Sequence, residues 1–542
     1  MKDKISKIGI FIYDPEGNLG KFLSVEAICS KLSGLHFAST VSSSVRDEGL
    51  RDDFEEFVKK NKLSAAVIAG YSSRSNEKIF KNSFKKAGLN PYALAFINLG
   101  EAIVICGKKV KILDRAVQLI VRAARWIENQ GPIETQKILL NRKVLVLGGG
   151  IAGIETALTL AGGGLDVVLV EGGQDLGGEI AAIEGLQDFL GDKIRALKKE
   201  EKIKIISSSR LANTGGHAGG FIVKIEGKDE SVLEVGAIVV AVGYESIVPI
   251  EELGENFNSR VIGQRDFEKR LSSNDVPGRI CFLTDLVDED LKVQTQALLR
   301  QALAVKKEFD SDVICLCKDL KVSFDGGEEL YKRAREAGVL FFKYVEKPGI
   351  KVLNNVVEVS LINEDYPHEE MVFEADLLVV GEKAAPRKGF EELAKLLSVN
   401  LDSNGFFQED NVKILPTKSS KRGVFFVGGC RLPQNINETL TEARATAQEI
   451  LSFLSKGEIE LDLTSAKINS DRCVLCLTCV RTCPHGAIVV DQKEETAKVI
   501  PISCQSCGIC ASECPVMAIE LPLYTNAKVM GQLVNSMAGE VG

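Results

Sequence analysis

Apolar residues in the first 135 positions gather into short runs that are separated by amphipathic stretches. The runs have the length of buried strands, and they lie at residues 8–12, 65–69 and 102–106. Between them apolar residues recur every three or four positions, as they do on one face of a helix. A last helical repeat over 110–126 ends before Gly131-Pro132, a pair that marks a linker. The pattern predicts an amino-terminal α/β domain over residues 1–135.

Two later segments resemble each other, and both consist of an acidic lead-in, a fully apolar strand and a glycine. They lie at residues 233–243 and 373–381. Such a repeat is expected where the chain leaves one nucleotide-binding domain for an inserted one and then returns. We therefore predict a nucleotide-binding domain over residues 140–245 and 386–455, interrupted by an insertion over 246–385. A chance likeness between two buried strands is the alternative.

A buried strand at residues 143–147 runs directly into a glycine-rich turn and a helix of small residues. The glycines have the spacing Gly-x-Gly-x-x-Gly, and they are Gly148, Gly150 and Gly153. In this setting the first glycine permits a tight turn, the second lets the backbone approach a pyrophosphate, and the third allows close packing of helix on strand. We expect the pyrophosphate at the start of the helix, beside Ile151 and Ala152. The motif predicts a dinucleotide site.

The next strand ends at Glu171, where a carboxylate would accept hydrogen bonds from an adenosine ribose and disfavour a 2′-phosphate. A glycine pair, Gly177-Gly178, follows, and this order resembles flavoproteins with two dinucleotide-binding domains, which favours FAD over NAD. In that class a second strand and turn contact the flavin, and the matching residues are Gly243, Gly428 and Gly429. Many members have an aspartate next, whereas this chain has Cys430. A Rossmann-like fold without a cofactor is the alternative.

The insertion lacks such a glycine turn. Its strand at 279–283 leads through Thr284 into a group of acids, namely Asp285, Asp288, Glu289 and Asp290. Carboxylates at that turn would repel a pyrophosphate, and no glycine lets the backbone come close. We expect no NAD(P)H site there, unless the first turn of the insertion lies elsewhere in the chain.

Eight of the 14 cysteines form two similar runs near the carboxyl end of the chain. Both runs match the bacterial ferredoxin pattern C-x2-C-x2-C-x3-C-P, in which the fourth cysteine ligates the other cluster. The spacing predicts two [4Fe-4S] clusters in a domain over residues 466–522, followed by a tail over 523–542. One cluster would be bound by Cys473, Cys476, Cys479 and Cys514, and the other by Cys504, Cys507, Cys510 and Cys483. Zinc is disfavoured because four ligands would suffice for it, leaving the two interleaved sets unexplained.

The composition is that of a globular protein and excludes several functional classes. Of 542 residues, 45% are apolar and 26% are charged, and the length predicts about three to five domains. The formal net charge of -8, without a long basic block, argues against a nucleic-acid partner. No apolar run reaches the length of a membrane span and no signal-peptide core is visible, so we expect a cytoplasmic protein. The sequence shows no nucleophile-base pattern that would support hydrolysis, and no catalytic residue is predicted.

The order of these features resembles the HdrA family of heterodisulfide reductase, together with related flavin subunits of quinone-interacting oxidoreductase complexes. The resemblance covers nearly the whole chain, including the glycine-poor insertion with the segment 328–335 and the turn without aspartate at Gly428-Gly429. It implies an oxidoreductase subunit that transfers electrons within a soluble multisubunit complex of an anaerobe, and some such subunits bifurcate electrons from their FAD. The implied partners are HdrB-like and HdrC-like proteins, or proteins of hydrogenase, dehydrogenase or ferredoxin type.

This chain departs from the family in two places. The family's first domain usually binds a cluster through cysteines, whereas the matching positions here are Tyr13-Asp14-Pro15 and Tyr71. Longer members also carry a cysteine-rich insertion, while no cysteine occurs between Gly178 and Ala237. We therefore expect a shortened form with lost ligands in the first domain, one FAD and two [4Fe-4S] clusters.

The predicted fold class is a multidomain α/β protein. It has a flavoprotein core of two dinucleotide-binding domains, an amino-terminal α/β domain and a carboxyl-terminal ferredoxin domain with two [4Fe-4S] clusters. The predicted function links a two-electron flavin to one-electron carriers. One alternative is a self-contained NAD(P)H:ferredoxin or acceptor oxidoreductase that resembles the small subunit of glutamate synthase. Another is a non-catalytic scaffold with degenerate cofactor sites.

Overall fold

The computed structural model describes residues 7–15, 17–21, 23–70, 76–100, 112–128, 133–183, 185–228, 230–287, 292–353, 355–363 and 369–538. It divides into two compact units. One contains Met1–Lys137, Glu460–Cys483 and Ala487–Gly542, and the other contains Ile138–Ile459 and Pro484–Gly486. The strand predicted at 102–106, the acids at 288–290 and Tyr71 lie outside the described residues.

The amino-terminal part is a parallel sheet with helices on its faces. Its elements are β1 (Ile8–Tyr13), α1 (Val25–Gly34), β2 (Ala38–Ser42), α2 (Asp47–Asn61), β3 (Ala65–Gly70), α3 (Glu77–Lys86), β4 (Leu94–Asn98) and α4 (Ile112–Glu128). The strand order is β2-β1-β3-β4, and all pairs are parallel. Every residue of β1 and β3 is buried, as expected for central strands that are covered on both faces. The α/β character predicted from the apolar runs is confirmed.

A second parallel sheet carries the glycine turn. The chain enters through β5 (Thr135–Leu139) and forms β6 (Lys143–Leu147), α5 (Ile151–Gly162), β7 (Asp166–Val170), α6 (Gln187–Lys199), β8 (Ile203–Ile206), β9 (Ser209–His217), β10 (Gly220–Gly227), β11 (Ser231–Val235) and β12 (Ala237–Val240). Strands β9 to β11 form an antiparallel meander. The parallel sheet has the order β23-β12-β6-β7-β8, in which β23 (Val424–Phe426) comes from much later in the chain.

The segment between β12 and β23 repeats this topology. Its elements are β13 (Glu245–Ile247), α7 (Ile250–Leu253), β14 (Val261–Gly263), α8 (Gln264–Ser272), β15 (Arg279–Leu283), α9 (Lys292–Glu308), β16 (Asp312–Cys317), α10 (Gly327–Glu336), β17 (Leu340–Lys343), β18 (Gly349–Val352), β19 (Val357–Ile362), β20 (Glu370–Ala375), β21 (Leu377–Val380) and β22 (Lys383–Ala385). The sheet order β14-β21-β15-β16-β17 places β15 where β6 stands in the first sheet. The two similar sequence segments occupy matching positions, since each is the last meander strand followed by a buried parallel strand. This confirms a core of two dinucleotide-binding folds.

The crossings into and out of the inserted fold lie side by side. Strand β13 pairs with β22 in antiparallel fashion, so that Ser246 faces Ala384. The proposed boundaries at residues 246 and 385 fall on this pair, and they stay predictions. The chain then forms α11 (Phe390–Leu397), β23, α12 (Ile436–Leu454) and β24 (Glu458–Asp462), and β24 pairs with β5.

The cysteine runs form a small domain with an internal repeat. Its elements are β25 (Lys467–Ile468), α13 (Thr478–Thr482), β26 (Ile488–Asp491), β27 (Thr496–Val499), α14 (Ile509–Ser512) and β28 (Ile519–Glu520), followed by α15 (Asn526–Ala538). Its core contains few large side chains, and Cys479 and Cys510 are among the buried residues. Among the helices that the structure describes, none is long and apolar enough to cross a membrane.

Replacing Gly153 with alanine is expected to lower the free energy of unfolding by roughly 1–3 kcal/mol. A Cβ there would lie 1.9 Å from the Gly148 carbonyl oxygen, so helix and turn must separate. Gly162→Ala in the same helix is the matched control. A Cβ there meets nothing within 4 Å, and alanine should be neutral or stabilise by up to about 1 kcal/mol. Thermal unfolding of both flavin-free variants, followed by circular dichroism, gives the comparison, and equal midpoints would contradict the packing role of Gly153.

Candidate flavin cavity and iron-sulfur centres

The glycine turn between β6 and α5 is shaped by two close approaches. Gly148 has φ of +108°, and a Cβ there would lie 2.4 Å from the Ala241 carbonyl oxygen. A Cβ on Gly153 would meet the Gly148 carbonyl oxygen at 1.9 Å. Both positions exclude side chains because backbone packs against backbone. The turn therefore holds the first residues of α5 against the carboxyl ends of β6 and β12.

Gly150 differs from these two glycines because it faces open space. Its backbone is extended (φ -73°, ψ 179°), and a Cβ would meet nothing within 4 Å. It is the residue before α5, so the first amides of the helix, starting at Ile151, have no carbonyl partner within the helix. Anions bind at such helix starts through these amides and the helix dipole. The open space beside Gly150 is therefore a cradle of the kind that a dinucleotide pyrophosphate occupies.

Glu171 lies at the end of β7, beside the turn. Its two carboxylate oxygens accept hydrogen bonds from the backbone N–H groups of Gly149 at 2.5 Å and Gly173 at 2.7 Å. These bonds hold the carboxylate next to the cradle while leaving acceptor capacity for ribose hydroxyls. Gly177 donates its N–H to the Gly149 carbonyl at 2.8 Å, which draws the glycine pair onto the same turn.

These elements border one cavity of about 920 Å³. Most of the predicted cofactor residues line it, namely Gly148, Gly150, Ile151, Ala152, Glu171, Gly177, Gly178, Gly243 and Gly429. Gly153 and Gly428 are absent from its lining, and Gly428 packs against Ala152. The volume, the cradle and the fixed carboxylate fit a flavin dinucleotide.

The far wall of the cavity has no counterpart in the sequence predictions. It is formed by α9 of the insertion and by the segment around α11, through residues such as Val293, Arg300, Arg387, Phe390 and Leu393. None of these residues belongs to a local motif, so no sequence signal points to them. Gln434 and Asn435, which precede α12, also line the cavity.

A network of charged side chains borders this wall. Glu179 pairs with the guanidinium groups of Arg265 and Arg387, the latter at 3.2 Å. Glu382 accepts a hydrogen bond from the backbone N–H of Arg265 at 2.9 Å, and burial raises the pKa of Glu382. Burial likewise raises the pKa of the cavity-lining Tyr244 to about 12. The network ties the inserted fold to the glycine-pair segment.

Cys430 does not replace the aspartate that many flavoproteins have after the second glycine turn. Its thiol is fully buried and donates to the Val240 carbonyl at 3.1 Å. Burial raises its pKa to about 12. The side chain therefore belongs to the interior of the sheet.

The turn after β15 in the insertion is closed by one of the acids that follow Thr284. Asp285 has φ of +65°, is nearly buried, and accepts a hydrogen bond from the Lys318 N–H at 2.9 Å. Since Lys318 directly follows β16, the carboxylate ties two strand ends together. The expectation that this turn binds no NAD(P)H stays a prediction.

The first predicted set of cluster ligands converges in space. Cys473, Cys476, Cys479 and Cys514 line one small cavity in the carboxyl-terminal domain. The fourth residue comes from the second run, as the interleaved pattern requires. In the other set, burial raises the pKa of Cys510 to about 11, and the neighbouring thiols Cys504, Cys483 and Cys507 contribute to the rise. Within the described ranges, no three His, Cys, Asp or Glu side chains form a site for a single metal ion.

Backbone amides point at the sulfur atoms in matching places of the two runs. Ala487 donates its N–H to Cys483 Sγ and Ala518 donates to Cys514 Sγ, both at 3.3 Å. Hydrogen bonds to the sulfurs help to set the reduction potential of an iron-sulfur cluster. The two cysteines followed by proline are thus held by the same local geometry.

Two family models match the chain. Residues 104–278 match the pyridine nucleotide-disulphide oxidoreductase family, and residues 472–518 match the 4Fe-4S dicluster domain. An A-type iron-sulfur subunit of the CoB-CoM heterodisulfide reductase of Methanopyrus kandleri is 27% identical, and the match covers 98% of each chain. The chain is an HdrA-like iron-sulfur flavoprotein. It is accordingly an oxidoreductase subunit that contains a flavin-type domain and a [4Fe-4S] domain.

Further relatives of this HdrA-like protein agree in name. The A-type subunit of the H(2):CoB-CoM heterodisulfide,ferredoxin reductase of Methanothermobacter marburgensis is 24% identical over 91% of this chain and 92% of its own length. Among solved structures, thioredoxin reductase of T. acidophilum aligns with a TM-score of 0.41 and 14% identity, over 58% of this chain and 99% of that one. The Methanopyrus alignment spans 659 positions, so more than a hundred of them face gaps in this 542-residue chain. The HdrA-like protein is a shortened form.

In the first domain of this HdrA-like protein, an aspartate orders the loop where the resemblance predicts lost cluster ligands. Asp14 is nearly buried, and its carboxylate accepts the backbone N–H groups of Leu19 at 3.1 Å and Gly20 at 3.3 Å. Tyr13 is buried as well. Hydrogen bonds thus organise a loop that a metal cluster would otherwise brace.

Gly150→Ala is expected to weaken FAD binding by roughly tenfold or more, since its methyl group would occupy the cradle for the pyrophosphate. The flavin-free variant should unfold like the parent chain, because the added Cβ meets no protein atom. Fluorescence titration of the flavin-free protein with FAD measures the affinity, and Gly162→Ala is the control. Unchanged affinity in Gly150→Ala would contradict a pyrophosphate at this turn.

Proposed function

We propose that this protein transfers electrons within a multisubunit cytoplasmic oxidoreductase complex and binds one FAD and two [4Fe-4S] clusters. The observation that carries the proposal is the combination of a dinucleotide cavity and two interleaved thiol sets in one polypeptide. FAD exchanges two electrons and each cluster exchanges one, so their combination connects hydride-type donors to one-electron carriers. Electron bifurcation, which the resemblance implies for some members of the family, belongs to the proposal as one use of that connection.

The residues have distinct parts in this proposal. The amides that follow Gly150 would hold the pyrophosphate and Glu171 the adenosine ribose, while Gly243 and Gly429 let the backbone approach the flavin half. Val293 and Phe390 provide apolar surface that excludes water from the cavity. No side chain among the described cavity residues forms a nucleophile-base pair. The protein's role is accordingly to bind cofactors and position them.

Protein partners are proposed as the source and destination of the electrons. The names of two relatives include hydrogen and ferredoxin in one case, and hydrogen, formate and ferredoxin in the other. HdrB-like and HdrC-like proteins, or proteins of hydrogenase, dehydrogenase or ferredoxin type, are the proposed partners. The acidic turn after β15 makes direct delivery of electrons by NAD(P)H the weaker alternative.

Anaerobic addition of NADH, and separately of NADPH, to the isolated protein is expected to leave flavin and cluster absorbance unchanged. The reason is that the turn after β15 offers carboxylates rather than a glycine cradle to a pyrophosphate. Dithionite, added afterwards, should bleach both chromophores and serves as the control for intact cofactors. Rapid bleaching by either nucleotide would favour the self-contained oxidoreductase, whereas protein without flavin and iron would favour the scaffold.

The interleaved ligand assignment predicts the iron content of paired variants. The parent protein should bind about eight iron atoms, since two clusters contain four each. Cys473→Ser/Cys514→Ser removes two ligands of one predicted cluster and should leave about four. Cys473→Ser/Cys483→Ser removes one ligand from each cluster and should leave close to none.

Iron and acid-labile sulfide analysis of anaerobically reconstituted protein distinguishes the two assignments. If each run instead bound its own cluster, Cys473→Ser/Cys483→Ser would be the variant that keeps four iron atoms. That reversed result would refute the interleaved sets while leaving the cluster count intact.

A further inference from the structure

Gln434 has a buried polar atom that the protein leaves unpaired. Its Oε1 is inaccessible to solvent and has no hydrogen-bond partner. Within the described ranges the other side chains with such atoms are Thr214, Ser231, Gln301, Glu442 and Thr446. Of the whole group, Gln434 alone lines the flavin cavity. Exchanging the amide oxygen and nitrogen would leave the other end of the amide in the same unpaired place.

The backbone around Gln434 is fixed on both sides. Before it, the guanidinium of Arg431 donates to Glu442 at 3.0 Å. After it, Asn435 caps α12, since its side chain accepts the N–H of Glu438 at 2.9 Å and Glu438 accepts the N–H of Asn435 in return. Such a turn has little freedom to rotate Gln434 towards solvent. An unpaired amide in a rigid, cavity-lining position is expected to have its partner in the ligand.

The strand order identifies the part of the ligand that Gln434 faces. Along the carboxyl edge of the sheet, Glu171 follows β7, Gly148 follows β6, and Gln434 lies in the turn after β23. Neighbouring strands are about 4.8 Å apart, so β23 lies roughly 14 Å from β7. The adenosine ribose and pyrophosphate belong to the β7 and β6 positions. The riboflavin half must therefore extend towards β12 and β23.

We propose that the side-chain amide of Gln434 hydrogen-bonds to the riboflavin half of bound FAD. It thereby supplies the polar contact that residue 430 does not make, because the thiol of Cys430 points into the sheet. The proposal rests on the proposed function to the extent that the cavity binds FAD. Gln434 is in this respect a positioning residue for the cofactor.

The test compares FAD with ADP, which lacks the riboflavin half. In the full-length flavin-free protein, Gln434→Leu should raise the Kd for FAD about tenfold, the size expected for a lost hydrogen bond in a closed site. The Kd for ADP should change by less than about twofold, because the leucine side chain has a similar volume and lies away from β6 and β7. Gln408→Leu, at an exposed position outside the cavity, is the matched control.

Gln434→Glu adds a readout that a merely structural role would not affect. A carboxylate in this place would titrate, so the ratio of the FAD and ADP dissociation constants should vary with pH in the variant but not in the parent protein. The same measurement applies if Gln434→Leu does not fold. An unchanged FAD affinity in Gln434→Leu, an equal loss of FAD and ADP affinity, or a pH-independent ratio in Gln434→Glu would overturn the proposal. Failure of the parent protein to bind FAD would instead refute the proposed function.

Discussion

The flavin site depends on how closely the backbone of one turn can approach its surroundings. Between β6 and α5, two glycines bring the helix against the strand ends, and a third, Gly150, leaves a gap that the protein does not fill. The first two are constrained by contacts within the protein, while the third is constrained only by a ligand. A single short turn thus combines a packing requirement with a binding requirement. The rest of the cavity is arranged around this gap.

The inserted fold shows that the same topology can exist without this turn. Its sheet has the strand order of the first sheet, and β15 takes the place of β6. At its carboxyl end Asp285 ties β15 to the segment after β16, where the first sheet has its glycine cradle. The insertion contributes α9 and the Arg265 network to the wall of the flavin cavity instead. A nucleotide-binding topology is used here as a structural wall.

The thiol sets illustrate a different constraint. Three cysteines at intervals of three residues wind around one point, but a loop of this length cannot place a fourth ligand as well. The fourth comes from the other run, as the common cavity of Cys473 and Cys514 shows. Matching amide-to-sulfur bonds at Cys483 and Cys514 indicate that both halves of the repeat follow the same rule. The two predicted clusters are therefore structurally interdependent.

The sequence by itself determined those features whose geometry is local. A strand followed by Gly-x-Gly-x-x-Gly, and cysteines at fixed short intervals, place their groups through bonds and turns within a few residues, so their chemistry was readable in advance. Only the tertiary structure decided the far wall of the cavity, the Glu179 network and the unpaired amide of Gln434. The most distant of these residues follows the glycine turn by nearly 290 positions and meets it only through sheet order and packing. No periodicity or spacing encodes such meetings, because they depend on how distant strands align at one edge of a sheet.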